Sequence, residues 1–183
     1  MPNILTISRL LLIPVFAYAL LADGFSLRWV AAIAFGIAAA TDWLDGFIAR
    51  KLNQVTEFGK IVDPLVDRVL IASAIFVLYI KISNVIPLWA IIIIVGRDLM
   101  MVIGWLYISH RGKRMSVIRS GRLATATLMM AFFLLFVNVQ LSSNILETAS
   151  IWLFYTGMAL SLISGLSYLK IGNIIMRSNQ AES

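Results

Sequence analysis

The chain has 183 residues, of which 61% are hydrophobic and only 13% charged. That composition excludes an ordinary soluble domain and points to a polytopic membrane protein, taken here as one domain over residues 1–183. Lys and Arg number 15 against 9 Asp and Glu, but the basic residues fall between apolar stretches without aromatic interleaving, so anionic lipid headgroups suit them better than nucleic acid. Without cysteine there is no disulfide framework and no thiolate chemistry.

A membrane-spanning helix needs ~20 mostly apolar residues. Six stretches qualify in chain order: Ile7 to Leu21, Trp29 to Ala49, Ile61 to Ile80, Val85 to Ile108, Leu123 to Val139 and Ile151 to Ile171. The expected fold is all-α, an integral membrane protein with six transmembrane helices. Arg9, an apolar run and Ala17-Tyr-Ala19 imitate a cleavable secretory signal; the segment is read as a retained first helix. Pro14 is expected to kink that helix, whereas Pro64 and Pro87 are placed near helix starts, where a missing amide proton costs little.

Charge asymmetry orients the spans. Arg9, Arg50, Lys51, Lys60, the His110 to Arg114 run, Arg119, Lys170 and Arg177 gather on one side, against Arg28, Lys81 and the acids Asp23 and Glu147 on the other. By the positive-inside rule both termini are cytoplasmic, in the cell (inner) membrane. Trp29, Trp89 and Trp152 stand near the outer helix ends, where indole rings prefer to lie. The four-residue spacings Ala32-Gly36-Ala40 and Gly157-Ser161-Gly165 permit close helix approach, within one subunit or between two, with the first favoured. Met100-Met101 and Met129-Met130 are read as lipid-facing or packing residues, His110 as a lone loop histidine, and Arg177 to Ser183 as a polar tail.

The informative feature is a cluster of acids at the cytoplasmic ends of the second and third spans. Asp42, Asp45, Gly46, Ala49 and Arg50 are followed after eight residues by Gly59, Asp63 and Asp67. Carboxylates among apolar spans are costly unless solvated, paired or bound to a cation, so they are functional candidates by default. Residues three or four apart share a helix face, which sets Asp42, Asp45, Gly46 and Ala49 on one stripe and Gly59, Asp63 and Asp67 on another. Two such stripes facing each other would gather four carboxylates beside small residues, a site for hard cations. Pairing with Lys60, Arg50 and Arg68 would also keep the acids in the membrane, and a divalent-cation transporter could use them too. A transporter would favour acids nearer the bilayer centre, an inverted repeat and broken helices.

The pattern Asp-x2-Asp-Gly-x2-Ala-Arg-x8-Gly-x3-Asp-x3-Asp resembles the signature of the CDP-alcohol phosphotransferases at every fixed position. The opening Pro2-Asn3-Ile-Leu-Thr6-Ile-Ser8-Arg9 is similar to the start of the bacterial members that make phosphatidylglycerol phosphate or cardiolipin. The resemblance implies a six-helix, usually dimeric membrane enzyme that moves a substituted phosphate from a CDP-linked donor to an alcohol and releases CMP. It implies two Mg²⁺ or Mn²⁺ ions on Asp42, Asp45, Asp63 and Asp67, with Asp67 as shared ligand or general base. Gly46, Ala49, Arg50 and Gly59 would then receive the CDP donor. Arg97 and Arg122, backed by Lys60 and Arg119, would hold the phosphate of an acceptor such as glycerol 3-phosphate, with CDP-diacylglycerol as donor; the alternative reading makes Arg97 and Arg122 snorkelling topology anchors or partners of Asp98. In the proteins it resembles a Lys is more usual where Arg122 stands. Phosphatidylglycerol, giving a cardiolipin synthase, and an inositol phosphate are the alternative acceptors.

Overall fold

In the computed structural model, backbone is described for residues 2–22, 24–52, 57–110 and 119–180, and side chains for 8–22, 24–41, 65–104 and 121–167. Six helices and no strand occur among the described residues: α1 (Pro2–Leu21), α2 (Phe25–Leu52), α3 (Glu57–Lys81), α4 (Leu88–His110), α5 (Arg119–Leu141) and α6 (Asn144–Gln180). Each expected span coincides with one helix to within a few residues at most ends, because long Ala, Leu and Ile runs continue a helix until a turn residue interrupts it. Two helical segments, Gly121–Leu141 and Asn144–Ser167, are long and apolar enough among the described residues to cross a membrane; Ser8–Leu21 and Phe25–Thr41 are apolar but shorter.

Three expectations are corrected. The fourth helix starts at Leu88 and not at Val85, since Pro87 stands outside it and its carbonyl accepts the first-turn amide of Ala90 at 3.0 Å. Pro64 lies eight residues into α3, well past the helix start, so it withholds an amide from the carbonyl of Lys60 in the helix interior. Residues 177–180 continue α6, so the polar tail is helical there. Pro14 lies inside α1, as expected.

The helices form a closed neighbour order, α1–α2–α5–α6–α4–α3 and back to α1, with α3 also touching α5. Phe16, Phe35, Phe132, Phe136 and Phe154 fill the space between α1, α2, α5 and α6. Phe35 stacks on Phe136 at 5.0 Å between centroids and meets Phe16 edge-on at 5.6 Å, the arrangements aromatic quadrupoles favour. All five rings lie toward the helix ends that carry the connections 22–24, 82–87 and 142–143.

Small residues set how closely the helices approach. A Cβ on Gly36 would stand 2.8 Å from the ring of Phe133, and one on Gly157 would stand 2.9 Å from Cγ and 3.1 Å from the backbone nitrogen of Leu128. Gly36 and Gly157, one from each four-residue stripe, therefore serve contacts within this chain, α2 on α5 and α6 on α5. Large apolar side chains such as Leu11, Tyr18, Ile33, Phe76, Ile92 and Ile163 are exposed instead of buried, a distribution that suits an apolar surround. The methionine pair in α5 divides between the two environments, Met129 packing in the core and Met130 facing out. Trp29, Trp89 and Trp152 are exposed, and Trp89 stacks with Tyr155 at 6.1 Å, joining α4 to α6.

The α5–α6 turn is closed by local polar contacts. Ser142 adopts φ 50°, a left-handed conformation costly for a residue with a Cβ. The amide of Ser142 donates to the carbonyl of Asn138 at 2.8 Å and that of Ser143 to the Asn138 side-chain oxygen at 2.9 Å. Glu147 in the first turn of α6 complements the positive end of the helix.

Candidate active site

The acids occupy matched positions on consecutive helices. Asp42 lies ten residues before the end of α2 and Asp67 ten residues after the start of α3; Asp45 and Asp63 lie seven and six residues from the same ends. At ~1.5 Å rise per residue, two helices running back from one short connection would carry the four acids at two similar depths, about 10 and 15 Å from the turn. The side chains of Asp42, Asp45, Asp63, Gly46, Ala49, Arg50, Gly59, Lys60, Arg119 and His110 lie outside those described. Their backbone is helical throughout, with Gly59 in the first turn of α3.

Asp67 is the motif acid whose surroundings are described. It is half-buried, its side chain 26% exposed, and Oδ1 accepts from Nη1 of Arg9, whose side chain is 1% exposed. Sequence reasoning treated Arg9 as a charge marking the cytoplasmic side. The structure places it inside the protein, joining α1 to the second half of the motif. The available signal was its position: a lone Arg within an apolar span cannot face lipid cheaply and must find a partner or the interface.

Arg68 is also reassigned. Its Nη1 donates to Oδ1 of Asp98 on α4, so among the described residues Arg68 pairs there, while the described motif acid Asp67 pairs with Arg9. The same Asp98 oxygen accepts from Nη1 of Arg97 at 2.6 Å, while Nε of Arg97 donates to the carbonyl of Ser161 on α6 at 3.1 Å. Arg97 and Asp98 are buried. A Cβ on Gly165 would stand 3.2 Å from Cγ of Arg97, so the glycine leaves room for the arginine stem. Arg122 lies in the first turn of α5 and is exposed. Consecutive residues of α3 are thus ion-paired in two directions, Asp67 toward α1 and Arg68 toward α4.

An all-carboxylate donor set of four Asp residues is the kind that hard dications prefer. The chemistry of the donors fits such ions, with Asp67 the member whose placement is described.

The sequence profile of the CDP-alcohol phosphatidyltransferase family matches residues 1–163. The chain belongs to that family. It is 33% identical over 174 residues to the CDP-diacylglycerol–glycerol-3-phosphate 3-phosphatidyltransferase of Escherichia coli (strain K12), covering 92% of each chain. The identically named protein of Bacillus subtilis (strain 168) is 39% identical over 110 residues, a match covering 54% of this chain and 56% of that protein. A third relative with the same name, from Salmonella paratyphi A, is 33% identical over 174 residues. The family as a whole generally uses divalent metal ions, in keeping with the Asp donor set.

Proposed function

We propose that this chain transfers the phosphatidyl group of CDP-diacylglycerol to glycerol 3-phosphate and releases CMP. What carries the reading is the complete acid frame on α2 and α3 in a chain that aligns over 92% of its length with a relative so named. The protein acts in the inner membrane as a six-span bundle, with membrane lipids around it, the acids on the cytoplasmic side and two copies forming a dimer. The exposed apolar faces and the segregation of charge to one end support that placement.

The acceptor hydroxyl attacks the phosphorus that bears diacylglycerol. A new P–O bond forms as the bond to the CMP oxygen breaks, and CMP leaves with the electron pair. Asp67, held against Arg9, takes the hydroxyl proton. Asp42, Asp45, Asp63 and Asp67 would hold two Mg²⁺ or Mn²⁺ ions. Such ions supply charge neutralisation for the pyrophosphate donor. Gly46, Ala49 and Gly59 leave space for the cytidine side of the donor, and Arg50 meets a donor phosphate. Arg97, fixed by Asp98 and the Ser161 carbonyl, and Arg122, exposed in the first turn of α5, bind the acceptor phosphate, with Lys60 and Arg119 adding positive charge.

The test is CMP release by purified protein with CDP-diacylglycerol and Mn²⁺, offered glycerol 3-phosphate, phosphatidylglycerol, inositol 1-phosphate, serine and inositol in parallel. Turnover with glycerol 3-phosphate alone is expected. Conversion of phosphatidylglycerol to cardiolipin, with glycerol 3-phosphate ignored, would overturn the acceptor assignment.

A further inference from the structure

Ser164 on α6 is fully buried, and its hydroxyl has no hydrogen-bond partner among the described residues. Helical hydroxyls ordinarily donate to a carbonyl about one turn back, and those of Thr125, Thr148, Ser150, Thr156 and Ser167 do so at 2.8–3.1 Å. Ser164 forgoes that bond in a place where leaving one unmade is costly. The register of α5 on α6 shows what faces it. Leu128 and Gly157, which meet, are equally distant along the chain from the 142–143 turn. Two helical turns farther along the same faces lie Gly121 and Ser164, with Ala124 and Ser161 buried between them as this pairing requires. Ser164 therefore stands against the first turn of α5, whose leading amides have no acceptor within their own helix.

We infer that Ser164 and the first turn of α5 form a seat for the phosphate of the alcohol acceptor, with the hydroxyl and the leading amides as donors and Arg122 as the cation. The inference rests on the functional reading given above. The two donor sets face each other, one anion can serve both, and the positive end of a helix favours negative charge there. Gly121 puts no side chain between them. It is partly exposed and Arg122 is exposed, so a ligand can enter from that side and meet Ser164 behind the backbone. The same turn of α6 presents the Ser161 carbonyl to Nε of Arg97 and leaves room at Gly165 for the Arg97 stem. The seat thus adjoins, on its α4 side, the arginine placed at the acceptor, which assigns it to the acceptor phosphate and not to the donor. Ser164 is then a binding residue that the acid frame and the charged groups of the site do not reveal.

The experiment uses full-length protein in detergent. Without donor or metal, the unfolding midpoint is followed against inorganic phosphate and against glycerol 3-phosphate; with CDP-diacylglycerol and Mn²⁺, KM is measured for acceptor and donor. Ser164→Ala removes one oxygen atom and should fold at least as well as wild type without ligand, because the lost hydroxyl had no partner. It should weaken the protection given by phosphate and raise the acceptor KM about tenfold or more, with the donor KM within about twofold, as expected for one lost hydrogen bond to a charged group. A lower midpoint in Ser164→Ala without ligand would make the hydroxyl structural and overturn the inference. Unchanged phosphate protection and acceptor KM would overturn it equally, leaving Ser164 a small residue that serves helix packing alone. A rise confined to the donor KM would overturn the assignment to the acceptor. With wild-type turnover of glycerol 3-phosphate intact, each of these results overturns this inference and leaves the functional reading standing; no such turnover in wild type would overturn both together.

Discussion

Replacing Arg9 with Met retains much of the side-chain bulk between α1 and α3 but removes the guanidinium from Asp67. Breaking a fully buried ion pair from one side commonly costs 3–5 kcal/mol, because the surviving charge keeps its desolvation penalty. Arg9 is 1% exposed but Asp67 is 26% exposed, so solvent screens part of the carboxylate charge and the expected loss is about 2–3 kcal/mol. At ~1.4 kcal/mol per tenfold, that is roughly a thirty- to hundredfold fall in the folded-to-unfolded ratio. The assay is reversible unfolding in a denaturing-detergent titration, run on Arg9→Met, Asp67→Asn and the double variant. Removing the charge of Asp67 as well should restore at least half of the loss. If the single effects add to within ~0.5 kcal/mol, the two residues do not interact energetically and the α1–α3 tie drawn here is wrong. CMP release supplies the functional counterpart: Arg9→Met should lower kcat, with Arg9→Lys losing less, because Asp67 needs a cation to hold its carboxylate in place.

Single replacement of Asp42, Asp45, Asp63 or Asp67 by Ala should abolish CMP release with membrane insertion intact, and a chelator should stop wild-type turnover until Mg²⁺ or Mn²⁺ is restored; turnover in two or more variants, or in chelator, would remove the metal role. Arg122→Ala should raise the acceptor KM roughly ten- to over a hundredfold and more than the donor KM, as expected for one lost charge-assisted phosphate contact of ~1.5–3 kcal/mol, with Arg122→Lys recovering much of it. Arg50→Ala should instead raise the donor KM, and an acceptor KM unmoved by Arg122→Ala would exclude Arg122 from the pocket. A reporter fused after Arg177 should read as cytoplasmic; a periplasmic signal there would sink the six-span topology and the side assigned to the acids.

The helices themselves were legible without coordinates, because each apolar run is long enough to saturate its own backbone hydrogen bonds and is bounded by turn residues or charges. Helix boundaries were less so. Pro64 looked like a helix start, yet α3 begins at Glu57, because an interior proline is tolerated where the flanking sequence still favours helix. The acid frame was legible for a related reason: fixed spacing on a helix fixes the face, and a carboxylate in an apolar span has few purposes. Its spacing also carried the family, which the profile match over residues 1–163 bears out.

The pairing of Arg97 with its neighbour Asp98 could be read from the sequence, but pairing between helices could not, since it depends on which helices become neighbours and at what depth, and neither is a local property. Arg9 and Asp67 are 58 residues apart, and Arg68 and Asp98 are 30 apart. From sequence alone, Arg50 and Lys60 were equally good partners for the acids. Packing α1 and α4 on either side of α3 turns Asp67 toward one arginine and Arg68 toward Asp98. The small-residue stripes show the same division: their spacing announced close approach, but only the meeting of Gly36 with Phe133 and of Gly157 with Leu128 decided that the approach lies within one chain. The sequence determined which groups could be buried and on which faces. The tertiary structure decided which opposite charges met there, because a buried charge is stabilised by the partner that packing brings within hydrogen-bond reach and not by its neighbours along the chain.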